Sequence, residues 1–137
     1  MFGMTKKQFL KKSKKTLKEI GIELLIIREI PTQEKYNSVD LEKTYLKMEK
    51  IRKNLENIFF KYEKLNPPSK CKNLQINLLK TIIILQEAVV AIIEHLNLLK
   101  DGSNEQSKEK LIKSKEKLDK FRENYGNLSR EVDLYLK

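Results

Sequence analysis

The sequence predicts an all-α protein, an antiparallel up-down-up-down four-helix bundle forming a single domain over residues 1–137. The composition is the first reason. It gives 39% hydrophobic and 35% charged residues with only four Gly and three Pro, a profile of long helices and not of strands and turns. The second is periodicity, because apolar residues recur at steps of three and four through four successive stretches. The third is the connections. Asn66-Pro67-Pro68-Ser69 and Asp101-Gly102-Ser103 are too short to return a helix parallel to its predecessor, so neighbours run antiparallel. A chain of 137 residues buries about two thirds of its unfolded surface and needs no disulfide or metal to hold a core.

The first helix is expected over about residues 6–29. Thr5 suits its N-cap, and Leu10, Leu17, Ile20, Leu24 and Ile27 form one stripe with Ser13 in the empty slot. Pro31 ends it, since the residue before a proline is pushed out of the helical region, and Gly21 is a mild weakness inside it. Thr32, Ser38 and Asp40 are alternative caps for the second helix. From Leu41 its pattern is regular: Tyr45, Met48, Ile51, Leu55, Ile58, Tyr62 and Leu65, widened by Phe59 and Phe60 and stopped by Pro67-Pro68.

The third helix, Cys71 to Lys100 with Ser69 as candidate cap, is the centre of the prediction. Leu78, Ile82, Leu85, Val89, Ile92, Leu96 and Leu99 make one stripe; Ile76, Leu79, Ile83, Val90 and Ile93 make a second beside it. Two adjacent stripes are wider than a coiled-coil seam, so several partners are expected to cover this helix. Asn73, Asn77, Lys80, Glu87, Ala91 and Glu94 lie opposite. A membrane span needs about 20 consecutive apolar residues. The longest run here is Ala88–Ile93, so a buried helix is favoured. Gly102 suits the left-handed position after the helix, and Ser103 with Gln106 has capping-box spacing. The fourth helix repeats Leu111, Leu118, Phe121, Tyr125, Leu128, Val132 and Tyr135, with Ser114 in one slot and Gly126 as a point of fraying. The third helix is expected to be the most buried and the fourth the most exposed.

The net charge of +10 and pI near 9.6 suit an anionic partner without choosing between nucleic acid, lipid and protein. Lys6, Lys7, Lys11, Lys12, Lys14, Lys15 and Lys18 carry no acid among them and form a candidate polyanion-binding face. Only Arg28, Arg52, Arg122 and Arg130 supply the planar fork that specific base or phosphate recognition uses, and the lysine excess matches codon bias in an AT-rich genome. Phe2, Met4, Phe9 and Leu10 at the same end would let this helix lie on anionic lipid. Neither partner is favoured over a protein.

Catalytic sets do not assemble. His95 is the only histidine; a di-metal bundle needs Glu-x-x-His on two helices, and position 92 is Ile92. His95 is expected on the surface or partly covered. Cys71, flanked by Lys70 and Lys72, has no histidine within reach along its helix and reads as a small buried or boundary residue. Glu19 with Glu23, and Glu87 with Glu94, share helix faces but have lysines nearby, so solvated faces are expected. No Gly-rich phosphate loop or nucleophile elbow is present, and no metal or cofactor is expected. A single cysteine forms no internal disulfide, and no uninterrupted apolar h-region follows the basic start. A cytoplasmic protein is expected.

Asn66-Pro67-Pro68 followed by the core helix, then Asp101-Gly102-Ser103 and a lysine- and glutamate-rich last helix, resembles uncharacterised helical-bundle proteins of low-GC Gram-positive bacteria. Some of that type are lipid-anchored outside the cell. This chain shows no lipobox cysteine near its start, so the anchoring is not carried over. In gross character it is also similar to bacteriocin immunity proteins, which are small, basic antiparallel bundles. The expected function is non-enzymatic: an interaction module with an unknown protein partner or with itself. A basic module for nucleic acid or anionic membrane, and an immunity-like neutralising protein, are the alternatives.

Overall fold

Among the described residues, four helices, each antiparallel to the next, form the bundle that the periodicity predicts. The computed structural model describes residues 3–27 and 38–137. They are α1 (Lys6–Ile27), α2 (Ser38–Glu63), α3 (Lys72–Lys100), which a single 3-10 turn (Ser69–Cys71) precedes, and α4 (Asn104–Leu136). Phe2, Arg28, Pro31 and Thr32, and the end of the first helix expected near residue 29, lie outside the described residues.

The helices close a ring. α1 packs on α2 and α4, α3 packs on α2 and α4, and α1 touches α3 across the diagonal. The pairings fix the directions. Phe9 stacks 5.6 Å from Tyr62 while Asn54 reaches Glu23, so α1 and α2 are antiparallel. His95 meets Ser107 while Glu87 meets Lys117, so α3 and α4 are too. Lys14 pairs with Asp133 and Leu17 with Tyr125, which closes α4 back onto α1.

The caps follow local chemistry, with two corrections. Thr5 and Gln8 exchange side-chain and backbone bonds of 2.9 and 3.1 Å, a reciprocal capping box. Gly102 takes φ +80°, its N–H donates to Leu99 O and that of Ser103 to Leu98 O, the paired bonds of a Schellman end. The Ser103–Gln106 box does not form, because the Ser103 side chain makes no cap bond. Ser69 does not cap α3 either: the 3-10 turn intervenes, and Cys71 N–H donates to Pro68 O. Gln75 instead reaches back to the carbonyls of Tyr62 and Leu65, satisfying the end of α2. Helix α4 runs through Gly126 to Leu136 without a break.

The core is built around α3, whose Leu78, Ile82, Leu85, Val89 and Ile92 have no exposed surface. Its most extensive partner is α4. A stripe not foreseen from hydrophobicity, Thr81, Ile84, Ala88, Ala91 and His95, is buried on the side where His95 contacts α4. Small side chains there, matched by buried Ser107 and Ser114 on α4, let the two backbones approach. Ala91 therefore belongs to a packed face and not to the polar strip. The second predicted stripe is corrected in the other direction. Leu79 is half-buried and Ile93 buried, but Ile76, Ile83 and Val90 are 47%, 42% and 42% exposed. Helix α4 is not set apart as the most exposed, since α2 also buries a single stripe, Met48, Ile51, Leu55 and Tyr62. Residues Ser69–Lys100 are long and apolar enough to cross a membrane by length and composition, and 56% of the most apolar window is buried inside the bundle.

Candidate interaction surfaces

Six of the seven lysines of α1 fall on the side that turns away from the core, and Lys6 is half-buried. Leu10, Ser13, Leu17 and Ile20 face inward, and at 100° per residue Lys7, Lys11, Lys14 and Lys18 form one outward strip with steps of four, three and four. Lys12 and Lys15 flank it, also exposed. The bundle partly answers this charge. Lys14 Nζ is 3.2 Å from Asp133 of α4, and Lys6 Nζ lies 4.6 Å above the Tyr135 ring. Lys7, Lys11, Lys12, Lys15 and Lys18 have no ion pair among the described residues. Phe9 and Leu10 are 0% and 2% exposed, so neither can serve as a lipid anchor or a base-stacking platform while α1 is packed.

The buried polar groups of α1 explain its sequence. Ser13 Oγ donates to Phe9 O at 2.9 Å and shares a 2.7 Å bond with the Tyr62 hydroxyl. Burial pushes the Tyr62 phenol well above its ordinary value, and the bond to Ser13 offsets part of that rise. The Tyr125 hydroxyl donates to Leu17 O at 2.8 Å, and a Cβ on Gly21 would lie 2.7 Å from the hydroxyl oxygen of Tyr125. Gly21 is thus the opening through which Tyr125 reaches the backbone of α1, and not merely a weak point.

The titratable candidates separate on packing. His95 is 5% exposed, a correction to its expected surface or partly covered position. Its Nδ1 is 2.7 Å from Ser107 O, and since a carbonyl only accepts, Nδ1 carries the proton. It joins the end of α3 to the start of α4. Cys71 is 4% exposed within the hydrophobic core, as a small buried residue should be. Glu87 and Glu94 are bridged to Lys117 at 3.1 Å and Lys110 at 2.6 Å across the α3–α4 seam. Glu23 departs most from expectation. It is only 9% exposed, its Oε1 accepts from Asn54 Nδ2 at 3.0 Å, and its Oε2 is buried with no partner among the described residues. The signal was present in the spacing, since Glu23 lies seven and fourteen residues after Thr16 and Phe9, both buried.

No group of three or more His, Cys, Asp or Glu side chains converges as a metal site among the described residues. No family model, curated protein or solved structure matches this chain. The two resemblances drawn from the sequence therefore rest on its pattern alone, and the surfaces themselves carry the functional argument. Of these, the outer side of α3 is unusual. Ile76, Ile83 and Val90 repeat every seven residues, with half-buried Leu79 and Gln86 at the alternate positions. That is a heptad seam facing solvent on the helix that otherwise buries most.

Proposed function

We propose that this protein is a non-catalytic interaction module that presents the outer seam of α3 to an apolar helix of a partner protein or of a second copy. The exposed Ile76-Ile83-Val90 repeat supports this reading. Single exposed apolar residues are ordinary on any protein surface, whereas a run of them at knob spacing is the pattern a docking helix engages. Placing a photo-crosslinking residue at position 83 tests it, with position 112 on α4 as control. Ile112 is 57% exposed but has no such repeat. Crosslinks to a defined protein from position 83 and not from 112 are expected; equal labelling at both sites would refute the reading.

The lysine face supports a second reading, binding to a polyanion through Lys7, Lys11, Lys15 and Lys18 with Lys12 beside them. These five are exposed and lack a carboxylate partner among the described residues, while Lys6 and Lys14 are engaged by α4. With Phe9 and Leu10 buried, this reading favours electrostatic contact over insertion of α1 into lipid.

A further inference from the structure

We propose that the cleft between α1 and α2, lined by Glu19, Glu23, Asn54 and Asn57, binds an alkylammonium group, the chemistry of a lysine side chain. The cleft encloses about 370 Å³, with Ile22, Ile58 and Lys61 completing its wall. Buried ionised groups in folded proteins are nearly always paired or fully hydrogen-bonded. Among the described residues Glu23 has only the Asn54 bond on Oε1, and Oε2 has no donor. A donor that reached Oε2 from the cleft would complete its hydrogen bonding, and a cationic donor would also offset the carboxylate's charge.

The lining says what kind. Glu19 and Glu23 against Lys61 leave one net negative charge, in a chain whose net charge is +10. One monovalent cation neutralises it. Lys61 also lines a smaller continuation of the groove beside Lys12 and Lys15, so a second positive charge on the same ligand would meet repulsion. A monoamine fits better than a polyamine. Ile22 is 59% exposed and Ile58 half-buried, which gives a methylene stem an apolar wall while its head reaches the carboxylates. A hard metal ion would need six or more oxygens, and here Asn54 turns its nitrogen to Glu23 and two isoleucines fill the wall. The inference is independent of the α3 seam, which lies on another helix.

The test is a titration of the isotope-labelled full chain, followed by amide NMR, with n-butylammonium and with Nα-acetyl-lysine amide. Tetramethylammonium, Mg²⁺ and Ca²⁺ are run in parallel. Saturable shifts confined to Glu19–Glu23 and Asn54–Ile58 are expected. Glu23→Gln should weaken binding about tenfold or more, because a charge-assisted bond is replaced by a neutral one. Should that variant fold poorly, Glu19→Gln at a half-buried position gives the same readout. Lys61→Met should tighten binding by removing a like charge. Binding of both amines supports a lysine side chain as ligand, and binding of n-butylammonium alone supports a free amine. Absence of saturable binding by either amine overturns the proposal, as does Glu23-dependent binding of a divalent metal in preference to both.

Discussion

Gly21 and Tyr125 show how a single missing Cβ fixes a helix contact. Gly→Ala in a helix interior normally stabilises by about 1 kcal/mol. Here the new methyl would meet the Tyr125 hydroxyl at 2.7 Å and displace its bond to Leu17 O. Gly21→Ala should therefore destabilise, by about 1–2 kcal/mol in urea unfolding. In a Tyr125→Phe background the nearest atom becomes the ring carbon at 3.5 Å, an ordinary contact, and the sign should reverse. Tyr62 makes a pH prediction. Its phenol is neutral in the fold and held above the ordinary 10.0 by burial, so unfolded chains lose that proton first as pH rises. The stability it contributes is complete below about pH 10 and declines above it. The alkaline fall in melting temperature should be shallower in Tyr62→Phe than in the native protein. An unchanged slope would mean the phenol is not desolvated.

At the scale of the element, α3 carries three faces with different consequences. The inward face is filled by Ile82 at 0% exposure, and Ile82→Ala should cost about 2–5 kcal/mol through the cavity it leaves. Ala88, also 0% exposed, lies on the small-residue stripe shared with His95; Ala88→Leu should cost about 1–3 kcal/mol by forcing α3 from α4. Ile83→Ala on the outer seam should change stability of the lone chain by less than about 0.5 kcal/mol. Chemical denaturation of the three variants checks the assignment of faces, and an Ile83 cost near that of Ile82 would contradict it. The four-element outline and most apolar positions of α1, α2 and α4 were legible because a 3.6-residue period marks which residues share a side, though Tyr135 and Phe60, expected on apolar faces, are 53% and 48% exposed. Thr81, Ala88 and Ala91 were not, since packing selects them for small volume and no hydrophobic period records that.

For the whole molecule, charge and burial combine in ways no single helix displays. Seven lysines of α1 are uncompensated in sequence, yet the fold brings Asp133 to Lys14 and Tyr135 to Lys6. Changing Lys7, Lys11, Lys15 and Lys18 to Gln should leave the melting temperature within a few degrees, because all four are exposed. If the polyanion reading holds, anisotropy of a labelled DNA duplex should show affinity falling about 10³-fold between 50 and 200 mM salt, and the variant should lose most of the binding. A flat salt response would retire that reading and leave the α3 seam. The α3–α4 bridges, Lys110–Glu94 and Lys117–Glu87, are partly exposed and contribute about 0–1 kcal/mol each, so they orient the pair more than they hold it.

The sequence alone determined that the chain makes four long helices, where the turns at Pro67-Pro68 and Gly102 fall, and that α3 is central. These follow from dihedral restrictions and helical periodicity, which are local properties of the chain. Only the tertiary structure decided which sides of α3 are covered, because that depends on how many neighbours reach it. Two adjacent helices and one diagonal contact leave Ile76, Ile83 and Val90 outside. It likewise decided that His95 and Glu23 are buried, that Gly21 admits Tyr125, and that Glu23 lines a cleft between α1 and α2. Each of these arises from residues distant in the chain meeting in space, which no spacing along one helix encodes.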